Sequence, residues 1–71
     1  MEGKFMQGKK EYEWWAGKAS NIANSRYCVH CFREDHGATL YMDEEPDETL
    51  AKQTAQSLVP TVDQMRAIQT H

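Results

Sequence analysis

Residues 26–42 constrain the fold of this chain more than any other segment. The run 26–33 (RYCVHCFR) is dense in aromatic and β-branched residues and holds no glycine or proline; 38–42 (ATLYM) resumes the same character. Such side chains suit a pleated, half-buried surface. Between the runs stand Glu34, Asp35, His36 and Gly37, which are turn formers, with Gly37 suited to a positive φ. The segment therefore reads as a β-hairpin over 26–42.

Around that hairpin there is little material. The 71 residues allow one domain, and a hydrophobic share of 39% with a mean hydropathy of -0.82 implies a thin core. An active site needs a rigid concave pocket and a supporting shell of side chains, and few residues remain to build both, which weighs against an enzyme. No apolar run approaches the roughly 18 residues that cross a bilayer. Lys4, Lys9 and Lys10 are followed by no apolar stretch, so no secretory leader is expected. The expectation is a cytoplasmic protein with Cys28 and Cys31 as reduced thiols, two cysteines being too few for a disulfide scaffold.

Before the hairpin, 1–8 reads as a short edge strand or a loose arm. Over 11–23 two periods compete. Tyr12, Trp14 and Ala16 alternate as in a strand, whereas Tyr12, Trp15, Ala19 and Ile22 recur as one helical face. The longer pattern favours a helix, weakened at Gly17 by about 1 kcal/mol against alanine and ended by Asn24. That helix puts Trp15 in the core and turns Trp14 towards solvent. After the hairpin, Pro46 within the acidic run 43–48 opens a helix to about position 59, with Leu50, Thr54 and Leu58 beside Ala51 and Ala55. Pro60 ends it. Thr61 and Gln64 have the spacing of a capping box for a last helix presenting Val62, Met65 and Ile68, and its terminal position leaves disorder equally open. The expected fold is α+β: an N-terminal helix packed on a small antiparallel sheet containing the 26–42 hairpin. Residues 1–59 form the domain and 60–71 a helical or flexible tail.

Three constellations invite chemistry. Cys28, Cys31 and His36 form C-x2-C-x4-H, which resembles the first three ligands of a retroviral-type zinc knuckle. The fourth ligand position holds Tyr41, however, and structural zinc sites are normally closed by four protein ligands; His30 or His71 would have to complete the set. In a strand, residues three apart point to opposite faces, so an extended 26–33 sets the two thiols apart and makes them packing groups. Hence no metal and no cofactor are expected, and a zinc-stabilised nucleic-acid-binding module using Cys28, Cys31 and His36 is the alternative. A thioredoxin-like role for the same cysteines lacks its βαβ setting. His30 and His36 with Glu34 or Asp35 are an acid–base set, but turn charges of this kind are usually solvated. Finally, the Trp14–Trp15 pair offers a binding anchor: Trp14 exposed, with Arg26, Tyr27 and Arg33 beside it, in residue types that dominate interface hot spots.

Charge is unevenly spread. Residues 1–33 carry a net +3 and 34–71 a net -6, and the overall -3 with a pI near 5.5 argues against wrapping nucleic acid. The acidic run either caps a helix or steers docking onto a basic surface.

Over its whole length the chain resembles the small early host-takeover proteins of lytic bacteriophages, among them the Xanthomonas phage type of transcription regulator. The likeness is carried by its size, the opening KFMQGKKEYEWW, the hairpin RYCVHCFREDHGATLYM and the acidic polar tail. It implies a monomeric, non-enzymatic protein that binds the N-terminal region of the β′ subunit of bacterial RNA polymerase in the host cytoplasm. It also implies inhibition of sigma-dependent initiation by sigma displacement, with an antitermination role.

Overall fold

Alternation with a period of two along the strand residues within 2–18 and 27–42 decides the architecture. The computed structural model describes residues 1–19 and 26–69, with side chains through Met65. Strands β1 (Glu2–Gln7), β2 (Lys10–Lys18), β3 (Tyr27–Arg33) and β4 (His36–Met42) pair in chain order as an antiparallel meander. Helices α1 (Glu48–Ser57) and α2 (Val59–Gln69) follow. Their buried side chains join a single core on one face of the sheet. The class is α+β, in two layers. No described helix is long and apolar enough to cross a membrane.

The register sorts every strand residue onto a face. Phe5 lies opposite Tyr12, Trp14 between Gly3 and Cys31, Ala16 opposite Val29, and Cys31 opposite Ala38; these positions form the inner face under the helices. Phe5 and Tyr12 stack with centroids 5.6 Å apart. Ala51 and Ala55 of α1 and Val59 and Val62 of α2 close the core from above. The phenol of Tyr12 donates to Asp63 Oδ1 at 2.7 Å, tying α2 to the sheet. On the other face stand Trp15 opposite Glu2 and His30, Cys28 opposite Gly17 and Tyr41, and Phe32 opposite Glu13 and Gly37.

The hairpin forms as the sequence indicates, and of the two forms open to the opening residues, edge strand or loose arm, β1 is the edge strand. Its turn differs in one respect. The two-residue connection Glu34–Asp35 places the positive φ of 58° on Glu34, while Gly37 lies within β4. In the β1–β2 turn a glycine does take that role, Gly8 at φ 63°.

The expected N-terminal helix does not form: residues 10–18 are the strand β2, and Ile22 and Asn24 fall outside the described residues. The reason is long-range. With β1 on one side and β3 on the other, β2 satisfies both of its backbone edges, and its aromatic residues favour a pleated surface. The shorter alternation Tyr12, Trp14, Ala16 therefore wins, and the assignment of the indoles reverses. Trp14 is buried at 4% exposure and Trp15 is exposed at 39%.

The C-terminal half is helical with shifted details. Asp47 caps α1, its Oδ1 accepting from the Leu50 N–H at 2.7 Å, so Pro46 lies just before the cap rather than at the first helical position. The buried stripe is Ala51, Thr54 and Ala55, while Leu50 is exposed. Small residues win because they let α1 approach Val29 and Cys31 closely. Pro60 sits in the first turn of α2, where its missing N–H costs nothing. It thus follows a bend at Leu58 instead of ending the helical run. Thr61 is inside α2 and caps nothing. Val62 is fully buried, so the first turn of α2 belongs to the packed layer rather than to a separate tail.

Candidate docking face

The helices cover one face of the sheet and leave the other open. Parity places Trp15 of β2, His30 and Phe32 of β3, and Tyr41 of β4 together on the open face. Two glycines let these rings lie low. A Cβ on Gly17 would come within 2.5 Å of the Trp15 ring, and one on Gly37 within 2.8 Å of His30 Cε1 and 3.2 Å of Phe32 Cβ. His30 and Phe32 tilt against each other with centroids 5.1 Å apart, and His30 Nδ1 shares a hydrogen bond of 2.6 Å with the Thr39 hydroxyl. Rings from three strands thus share this face.

At the β3–β4 end this face deepens into a broad concavity of about 670 Å³. Trp15, His30, Phe32 and Gly37 line it from the open face, and His36 and Met65 from the other side of the β4 edge. Gly37 is the notch between the two. Glu34 and Asp35 stand at the rim. His36 is itself buried, with Nε2 3.3 Å from Asp35 Oδ1 and Nδ1 without a hydrogen-bond partner among the described residues.

No protein-family model, curated protein or solved structure matches this chain. Its function therefore has to be argued from the geometry of its own residues.

The residues singled out in the sequence are distributed differently from the expectation. Trp14 is a core side chain and cannot be an exposed anchor, because the strand period puts it with Tyr12 and Ala16. Tyr27 and Arg33 are half-buried at inner-face positions. Arg26 is exposed, its carbonyl accepting from the Ala19 N–H at 3.0 Å and so lengthening the β2–β3 ladder. Trp14, Arg26, Tyr27 and Arg33 thus form no common patch. Trp15 takes the place assigned to Trp14, and Phe32 and Tyr41 are members that the sequence reading passed over.

Cys28 lies on the open face and Cys31 on the covered one, so the two thiols cannot grip a common ion, and the knuckle built on Cys28, Cys31 and His36 does not assemble. Among the described residues no three His, Cys, Asp or Glu side chains converge as metal ligands. Burial first, and the charge of Asp63 second, push the Cys31 thiol up to about 11, the behaviour of a packing group rather than a nucleophile. His30 and His36 point to opposite faces of adjacent strands, yet both line the concavity with Glu34 and Asp35, and Asp35 Oδ1 stands 3.3 Å from His36 Nε2.

Proposed function

We propose that this chain is a non-enzymatic protein-binding regulator that docks through the open face of its sheet. The observation that carries the reading is the clustering there of rings from three adjacent strands, with Trp15 at 39% and Tyr41 at 46% exposure. Isolated apolar residues on a surface are ordinary, but apolar rings grouped on one face mark an interaction site. Trp and Tyr are also the residue types that dominate hot spots.

Charge favours a protein over a nucleic acid. Among the described strand residues of that face Lys4 is the only lysine or arginine, and it stands 3.9 Å from both Glu11 and Glu13. Phosphate neutralisation, the main source of affinity for nucleic acids, has little to draw on there. The resemblance to phage host-takeover proteins supplies the partner to test first: bacterial RNA polymerase, at the N-terminal region of β′. On this reading the chain inhibits sigma-dependent initiation and acts in antitermination from the host cytoplasm. Such a small module shifts the equilibria of a large enzyme by binding one of its states in preference to another.

The test is capture of purified RNA polymerase by the immobilised chain. Two hot-spot truncations at about 2 kcal/mol each predict that Trp15→Ala with Tyr41→Ala weakens capture by at least about 100-fold, with the circular dichroism spectrum and melting curve kept. Capture at wild-type strength by the folded double variant removes this face from the interface.

A further inference from the structure

We propose that the outer edge of β4 accepts a fifth strand: an extended segment of another protein, apolar at its centre and carrying lysine or arginine at both ends. The proposal goes beyond the docking face. Its contacts are made by backbone at the rim of the sheet and its test uses no polymerase, so either reading can fail without the other.

The two rims of the sheet differ. β1 and β4 are the end strands, and among the described residues each pairs on one side only. A free edge is a template for another chain unless charges, prolines or bulges blunt it. β1 is blunted by Glu2 and Lys4. β4 has no such device: His36–Met42 (HGATLYM) contains no Asp, Glu, Lys, Arg or Pro, and its pairing with β3 continues without a bulge from Arg33–His36 to Tyr27–Met42. In an antiparallel ladder alternate residues turn their N–H and C=O away from the paired strand. The two-residue turn makes Arg33–His36 a hydrogen-bonded pair, so the outward set is Gly37, Thr39 and Tyr41. Thr39, Leu40 and Tyr41 are exposed, which leaves the middle of the edge open.

Side chains define the centre of the occupant. Leu40 holds a covered-face position and is nevertheless 43% exposed, while Tyr41 is exposed on the open face. An incoming strand therefore meets an apolar group on either side of the sheet. Charge defines its ends. Asp35 precedes β4 with its side chain 86% exposed, and the exposed Asp43, Glu44 and Glu45 follow it. No lysine or arginine lies between Arg33 and Lys52. An uncharged ladder bracketed by carboxylates complements a strand with cations at both ends. A second copy of β4 fits poorly, because antiparallel pairing centred on Thr39 sets Asp43 against Asp35 of the other copy, and like charges directly opposite repel.

The experiment titrates the acetylated, amidated peptide Lys-Lys-Val-Thr-Val-Thr-Val-Lys-Lys into the 15N-labelled chain. It follows hydrogen exchange of the Thr39 and Tyr41 amides together with the Trp15 indole N–H. The same peptide with glutamate in place of its four lysines is the control. The expected result is saturable binding that slows exchange of both amides by at least about tenfold. Binding is expected to be at least about tenfold weaker for the acidic peptide and several-fold weaker for Asp43→Asn with Glu44→Gln. Thr39→Pro removes an outward N–H that the fold does not use, and is expected to abolish binding. Peptide binding that shifts the Trp15 indole but leaves the two amides unprotected overturns the proposal, as does equal binding of the acidic peptide. Undiminished binding by folded Thr39→Pro overturns it too; where circular dichroism shows that variant unfolded, undiminished binding by Asp43→Asn with Glu44→Gln does so. Protection of both amides without peptide, rising with protein concentration, assigns the edge to a second copy and refutes the basic strand.

Discussion

Trp14→Ala lowers stability by roughly 3–5 kcal/mol, leaving the domain barely folded. At about 0.05–0.15 kcal/mol per residue, a chain of 71 residues has only about 4–10 kcal/mol to lose. Trp14 is 4% exposed, and its ring lies over Gly3, where an added Cβ would come within 2.8 Å of Nε1. Its core neighbours include Ala16, Ala51 and Ala55, which are too small to collapse into the space an indole leaves. Trp15→Ala, one residue along, stays within about 1 kcal/mol of the parent because it removes a side chain already facing solvent. Urea unfolding followed by circular dichroism measures both. Comparable losses in the two variants would mean that the faces of β2 are not distinguished as described.

The second large effect is alkaline unfolding. Burial first, then donation to Asp63 and the charge of that carboxylate, push the Tyr12 phenol up to about 12 from its usual 10.0. Arg33 opposes this without cancelling it. The Cys31 thiol stands at about 11 instead of 9.0. Both groups are harder to ionise folded than unfolded, so their contribution to stability is complete below the unfolded values. It is lost as pH rises, from about 9 to 11 for Cys31 and from about 10 to 12 for Tyr12. A displacement of that size corresponds to roughly 2–3 kcal/mol for each group, a large share of the total. The urea midpoint is therefore expected to hold between pH 7 and 9 and then to fall steeply, with Tyr12→Phe removing the later part of the fall. A midpoint that stays level to pH 11 would contradict the burial of both groups.

The parts of the fold that were legible in the sequence are those decided locally. The 26–42 hairpin contains both of its strands and its turn within one short segment, so composition alone identifies it. Strand β2 was not legible, because Tyr12, Trp15, Ala19 and Ile22 form a helical face as regular as the strand face Tyr12, Trp14, Ala16. The choice between them is made by β1 and β3, which come from elsewhere in the chain. The helical stripe was misplaced for a related reason: leucines at four-residue spacing look like a core, but close approach to the sheet selects Ala51, Thr54 and Ala55.

The candidate site was half visible. Parity within 26–33 separates Cys28, His30 and Phe32 from Val29 and Cys31, which is enough to part the thiols. Carried one step further, it groups His30 with Phe32 on an open face. What it could not supply was the register that brings Trp15 beside His30 and Gly37 beside Phe32. The notch at Gly37 and the buried His36 depend on that register as well.

The most direct measurement is the accessibility of the two indoles, read one at a time. In Trp14→Phe only Trp15 emits, and in Trp15→Phe only Trp14. Acrylamide is expected to quench Trp15 several-fold more efficiently than Trp14 in the folded proteins, and both equally in urea. Because a one-residue slip moves every side chain of a strand to the opposite face, quenching of Trp14 as strong as that of Trp15 would contradict the register of β2 and, with it, the docking face.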